Sequence, residues 1–335
     1  MKRALAWLVP AAGAAVVVYL VIDLGPRHLA AQASRMGWSM AALLALPLFL
    51  YVVHAIGWGY TMSPANRQRA GLWRLTALQA FSYGLSGVIP LQVFVAEPLK
   101  LSFLRHPDYD RADLGASVVL NNTINGVAIV LWAIGGLLYL ALVLVSEPWL
   151  RLALIGATLA LCGIVAALVL VQRRGLLCGM LGLAGRLGFR GFSERHLPAA
   201  RRIDDAVAAF YRERRGAFAA SLGCHVVEKL HGVAEFWVIF NGLGLLVSWG
   251  TCFFIFAVVS TLDNVLFFVQ LGGMEAWVAS LLALVRIDRQ RVNITAALFR
   301  RLRMIFWAIV AALVAWPARR LIGDHAAVGA EESQS

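Results

Sequence analysis

The sequence predicts an all-α polytopic membrane protein, built as an inverted-topology repeat with about six full spans and two re-entrant helical hairpins. Three observations carry this. First, 61% of the 335 residues are hydrophobic and only 14% charged, with mean hydropathy +0.76, whereas a soluble domain is about a quarter charged. Several apolar runs reach about 20 residues, the length that crosses a hydrocarbon core. Second, a shift of 178 positions, without a gap, lays Glu97 on Glu275, Ser82 on Ser260, Gln92 on Gln270 and Asp110-Arg111 on Asp288-Arg289. Eight of the 39 positions from 82 to 120 are identical under that shift, so the two halves of the chain are read as copies. Third, the arginines are unevenly placed along the chain, and positively charged loops stay on the cytoplasmic side. Net charge is +12, and the only lysines are Lys2, Lys100 and Lys229.

The elements follow in order. One integral membrane domain is expected over 1–335, with repeat one at about 1–145 and repeat two at about 149–320. Residues 4–22 follow Lys2-Arg3 and read as an uncleaved first span, because the apolar run is long for a signal sequence. A second span covers about 38–60. Residues 72–90 and 97–106 form the first interrupted hairpin. Between them Pro90 and Pro98 break the helix, and broken backbone at membrane depth needs protein or water to satisfy it. A long helix covers about 112–145, then a short turn at Glu147-Pro148 and another span at 149–172.

The stretch 173–215 is different in kind. It holds ten arginines and reads as an amphipathic helix pair on the cytoplasmic face. A span at about 216–241 follows. Residues 249–268 and 273–285 form the second hairpin, interrupted at Gly272-Gly273. The last span is about 293–316. With 173–215 inside, Glu147 falls outside and both termini fall in the cytoplasm. The two halves then have opposite orientations, which is how many transporters are built.

Three polar sets fall at membrane depth, where ionisable groups are costly and usually functional. Glu97 and Lys100 share one helical face at i, i+3. Glu275 is expected to face Arg300, Arg301 and Arg303. Asn121 and Asn122 lie in the long helix and are assigned to the same seam. A third cluster comprises His225, Glu228, Lys229, His231 and Glu235. Here His225 and His231 are six residues apart, a spacing at which one metal ion would strain to reach both, so no metal and no cofactor is expected. Cys162, Cys178, Cys224 and Cys252 have no short spacing and read as buried hydrophobes. No P-loop and no G-x-S-x-G occurs, so enzyme activity is not expected. Nor is a nucleic-acid partner.

These residues carry a resemblance. IPLQVFVAEPLK with Glu97 and Lys100, FFVQLGGMEAWVASLL with Glu275, and the arginine-rich start ALFRRLRMIFW are similar to motifs of the flippase-like family built on the transmembrane region of lysylphosphatidylglycerol synthase. HGVAEFWVIFNGLGLLVS resembles the stand-alone branch associated with hopanoid biosynthesis. The first motif lacks the family's usual glycines, and Gln270-Leu271 stands where a proline is common. The resemblance implies a lipid transporter or flippase of the bacterial inner membrane. It would move a polar or hopanoid-type lipid, with Lys100, Arg300, Arg301 and Arg303 meeting the headgroup. The partners expected are membrane lipids and lipid-synthesis enzymes docking through 173–215. Two other readings stand beside it: an intramembrane lipid-modifying enzyme or glycosyl-transfer partner, and a non-transporting scaffold for lipid-synthesis enzymes.

Overall fold

The computed structural model describes residues 22, 25–86, 97, 100–104, 109–173 and 175–265, and all of 295–310 except 297, 301, 305 and 308. It is helical, with no strand among the described residues. The helices are α1 (Pro26–Met36), α2 (Trp38–Thr61), α3 (Pro64–Ala70), α4 (Leu72–Ser86), α5 (Arg111–Tyr139), α6 (Pro148–Arg173), α7 (Leu176–Arg186), α8 (Arg190–Glu213), α9 (Arg215–Glu228), α10 (Leu230–Gly242) and α11 (Trp249–Val265). The described positions between 295 and 310 are helical and are called α12. An all-α polytopic membrane protein accounts for this arrangement.

Among the described residues, two helices are individually long and apolar enough to cross a membrane, Trp38–Thr61 and the run Arg111–Val143. The second runs on from α5 into a π-helical turn at Leu140–Leu144. The outer surface is oily. Leu48, Phe49, Leu131, Leu142, Leu152 and Leu159 are all exposed, as lipid-facing side chains should be. Exposed tryptophans sit at helix starts, Trp38, Trp73, Trp149 and Trp249, matching the aromatic belts of membrane interfaces.

Arginines tie down both ends of the bundle. At one end, the Arg214 guanidinium donates to the Met62 and Tyr60 carbonyls, at 2.7 and 3.2 Å. This satisfies the last carbonyls of α2, a place where a cation also suits the helix dipole. At that same end the Asp113 carboxylate accepts from the Ser63 N–H at 3.0 and 3.1 Å. Arg67, Arg69, Arg111, Arg212, Arg214 and Arg215 therefore gather there. At the other end Arg151 donates to the carbonyls of Ala141 and Val145, and Gly242 abuts Met36 and Ser39.

Packing inside is close because small residues let helices approach, as is usual where lipid supplies no hydrophobic drive. A Cβ on Gly136 of α5 would lie 2.6 Å from the Ala257 Cβ of α11. The largest core joins α2, α10, α11 and α12 through Leu43, Phe236, Phe240, Phe254 and Phe299.

The expected elements are recovered at 38–61, 111–144 and 148–173, and the helix pair within 173–215 is α7 and α8. The side of α8 bearing Val207, Phe210 and Tyr211 packs on Ala116, Leu120 and Ile124 of α5. Asp204 on α8 accepts from the N–H groups of Leu177 and Cys178 and so caps α7. Helix α7 buries no residue. Met180, Leu183 and Leu187, with Phe189 and Phe192 after it, are exposed beside Arg186 and Arg190, the composition of an interfacial helix.

Two expectations are corrected here. Of the cysteines read as buried, only Cys252 is; Cys178 and Cys224 are half-buried and Cys162 is exposed. The span expected at 216–241 is two helices, broken at Lys229. There the ladder tightens to i→i+3, with Lys229 N–H on the Val226 carbonyl and Gly232 N–H on the Lys229 carbonyl. The Glu228 carbonyl then accepts from His231 Nδ1 at 2.7 Å instead. Inserting a side-chain donor into the ladder is a recognised cause of a kink.

For the hairpins, α4 and α11 are the expected first arms. The segment between α3 and α5 leaves and returns at one end of the bundle: Asn66 Nδ2 donates to the Asp110 carbonyl at 3.3 Å, and the Arg74 guanidinium bonds the Phe103 carbonyl. The first span, the interruptions at Pro90 and Gly272-Gly273, Glu275, Arg301 and the polar tail lie outside the described residues.

Candidate functional site

Three helix faces meet at the centre of the bundle. On α2 the residues Tyr51, His54, Trp58 and Thr61 recur at helical spacing and are all buried. On α5, Ser117, Asn121 and Asn125 recur every four residues, and on α9 Ser221, His225 and Glu228 do the same at four and three. Side chains at such spacing share one face. Gly57 lets α9 come close, since a Cβ there would lie 3.1 Å from the Cys224 Cβ and 3.2 Å from His225 Nε2.

The Glu228 carboxylate is the hub and is wholly buried. Its Oε1 accepts from Lys229 Nζ at 2.7 Å. Its Oε2 lies 2.9 Å from His54 Nδ1 and 3.2 Å from His225 Nδ1. Lys229 Nζ also donates to Asn125 Oδ1 at 2.6 Å. Behind the two imidazoles, Asn121 spans both rings: its Nδ2 is 3.1 Å from His54 Nε2, and its Oδ1 is 3.1 Å from His225 Nε2. The rings themselves are 4.6 Å apart, edge to face. A carboxylate at this depth is tolerable only with a cation and donors around it, and all are present.

His54, His225 and Glu228 bring three ligand-type atoms within 4.8 Å of one another, the spacing a metal site would use. Asn121 argues against a metal. A metal on both Nδ1 atoms leaves an N–H on both Nε2 atoms, each needing an acceptor in the outer shell. The amide has one oxygen to offer and presents its NH₂ to the other ring.

Two further charged groups flank this centre. Lys100 Nζ is paired with Glu97 Oε1 at 2.7 Å, as the i, i+3 spacing implied, and also donates to Gln79 Oε1 at 3.1 Å. It stands 4.9 Å above the Trp58 ring, a cation–π contact. Glu97 Oε2 is buried without a hydrogen-bond partner. On the far side, Arg303 Nε lies 3.1 Å and Arg300 Nε 3.6 Å from Glu235 Oε1. An aromatic chain joins the sites, from Trp307 to Tyr51 at 5.1 Å, Tyr51 to Tyr83 at 5.7 Å and Tyr83 to His54 at 5.9 Å.

The expected sets are therefore regrouped. Glu235 leaves the histidine cluster and pairs with the arginines of α12, because α10 and α12 pack side by side through Phe236, Phe240, Ala296 and Phe299. Whether Glu275 also reaches them lies outside the described residues, as does Arg301. His231 Nδ1 bonds the Glu228 backbone carbonyl and not its carboxylate, while Glu235 stays close enough to act on the ring through its charge. Asn121 joins the cluster, while Asn122 is half-buried and outside the bonds named here. His54, Asn125, Gln79 and Tyr83 were missed. The signal for His54 was available, a lone imidazole in the apolar run LFLYVVHAIGW, where intramembrane polar groups are suspect by default.

Compared with known proteins, residues 6–312 match the family model described as Lysylphosphatidylglycerol synthase TM region. No curated protein and no solved structure matches.

Proposed function

This chain belongs to the lysylphosphatidylglycerol synthase transmembrane-region family, and from that premise we propose that it is a flippase-type transporter moving an amphipathic lipid across its membrane. Membership supports a membrane protein of lipid-related function. One observation favours transport of a lipid with an acidic headgroup. Arg303, buried and paired with Glu235, lines a cavity of about 370 Å³ walled by Ala30, Leu43, Leu44, Phe299, Leu302 and Phe306. A guanidinium at the wall of an apolar chamber complements a molecule with a hydrocarbon body and an anionic head, since its planar fork donates in pairs to phosphate or carboxylate. Lys100 supplies a second buried cation on the opposite flank. The lipid is of polar or hopanoid type, and the membrane is the inner membrane of a bacterium.

The test is reconstitution. Arg303→Gln in vesicles, followed by labelled-lipid crossing per folded protein, should lower the rate about tenfold or more, the equivalent of one charge-assisted hydrogen bond of about 1.5–3 kcal/mol. Glu97→Gln and Glu275→Gln should each lower it too, and the double change should cost little more than the worse single one, because residues acting as a unit are not additive. Wild-type crossing in all three single variants rules out this seam.

The orientation is part of the same reading. The arginine-rich end faces the cytoplasm, with both termini there. In a cysteine-free background, a cysteine at Glu147 should react with a membrane-impermeant thiol reagent in intact cells. Cysteines at Gln68 and Arg195 should not. All three positions are exposed on the protein, so protection reports the membrane and not burial. Ser193 would not serve, because it is buried and its hydroxyl bonds the Leu181 carbonyl. Labelling of Arg195→Cys from outside inverts the arrangement.

A further inference from the structure

We propose that the His54–Asn121–His225–Glu228 cluster is a proton-binding site, holding one proton between His225 Nδ1 and Glu228 Oε2. The inference comes from counting donors and acceptors. A neutral imidazole has one N–H and one lone pair. His225 meets an oxygen at each nitrogen, Asn121 Oδ1 at 3.1 Å and Glu228 Oε2 at 3.2 Å. A neutral His225 can donate to only one of them. Its other nitrogen then turns a lone pair toward an acceptor oxygen.

His54 cannot repair this. Its Nε2 faces the Asn121 amide nitrogen, so it accepts there and carries its hydrogen on Nδ1, beside the carboxylate. Turning the Asn121 amide over only exchanges the two rings, since one still meets two oxygens. With Lys229 already occupying Glu228 Oε1, the arrangement is complete when one further proton lies between an imidazole and Oε2. It moves between nitrogen and oxygen without any bond other than N–H or O–H changing.

The other titratable groups facing the pair are His54 on α2, Tyr83 on α4, and Cys224 and Lys229 on α9, with Lys100 nearby. Bound, the proton gives His225 a hydrogen for the oxygen at each of its nitrogens but adds a buried charge. Released, it removes the charge but leaves a lone pair against a carboxylate. Each state repairs the defect of the other, which is what a site that loads and unloads requires. The link to transport rests on the lipid-movement reading above: loading and unloading would alternate with lipid movement, and the π-helical turn and the break at Lys229 adjoin two of the three helices that carry the cluster.

The test is the nitrogen spectrum of the whole protein, labelled with ¹⁵N-histidine, in detergent at about pH 8.5, where an ordinary histidine near 6.5 is neutral. One imidazolium among the seven histidines is expected in the wild type. It should be lost in Glu228→Gln, whose amide donates to the bare nitrogen, and in His225→Asn. All seven neutral in the wild type overturns the proposal without any variant having to fold. So does stoichiometric zinc bound with its signature on both rings. In vesicles, an imposed pH gradient should change the rate of labelled-lipid crossing at least threefold. Crossing indifferent to the gradient overturns the coupling. Absence of crossing under all conditions overturns the transport reading instead, and the spectrum still decides the proton.

Discussion

Glu228→Ala is expected to destabilise the folded bundle by about 3–5 kcal/mol, the loss typical of removing one partner from a buried charged pair. The cause is what stays behind. Lys229 keeps only Asn125 as a partner at 2.6 Å, and its ammonium lies buried against apolar helices. Both imidazoles lose the oxygen they share. Neither group can reach water, because Glu228 and His225 are wholly buried and Lys229 nearly so. Glu228→Gln should cost less, since its carbonyl oxygen still accepts from Lys229. The double change Glu228→Leu with Lys229→Met should recover much of the loss, because replacing a whole buried pair by apolar side chains is often close to neutral. Equilibrium unfolding in mixed detergent measures all three. A loss of under about 1 kcal/mol for Glu228→Ala, the scale of an exposed pair, would mean that water reaches the cluster and that the carboxylate is no hub.

Gly232→Ala is the second large effect. A Cβ at Gly232 on α10 would stand 2.0 Å from Phe256 Cε2 and 2.3 Å from its Cδ2. The ring has nowhere to go. It is buried against Trp132 at 5.7 Å and His231 at 6.3 Å. Helix α11 must move away from α10, at a cost of about 1–3 kcal/mol for overpacking. Gly156→Ala on α6 is the control. Nothing lies within 4 Å of the added methyl, and the change should be neutral or raise stability by up to about 1 kcal/mol through a stiffer unfolded chain. Equal effects for the two glycines in the same unfolding measurement would mean that α10 and α11 do not pack as closely as this.

The helix pair within 173–215 was legible because it rests on local composition, ten arginines beside apolar faces, and the structure places Arg214, which follows that pair, on the α2 carbonyls. Glu97–Lys100 was legible for the same reason, since a pair three residues apart needs only a helix. The break at Lys229 was not. The polar residues from His225 to Glu235 read as one face of a single span, with no proline among them, and the break depends on His231 taking over a backbone carbonyl.

Composition, periodicity and charge, the properties a residue carries by itself or with neighbours a turn away, determined that this chain is an all-α membrane protein with polar groups kept at membrane depth. Which of those polar groups meet was decided only by tertiary structure. Glu235 is 68 residues from Arg303 and pairs with it, while the Glu228 cluster draws on three helices, His54 from α2, Asn121 through the imidazoles from α5, and His225 from α9, with Lys229 next to Glu228 in sequence. The physical reason is the environment. A buried charge must find a counter-charge and donors wherever packing brings them, and packing is set by which small residues, such as Gly57, Gly136 and Gly232, allow two backbones to approach. Nothing in the spacing of a glycine along the chain names the helix that will fill its gap.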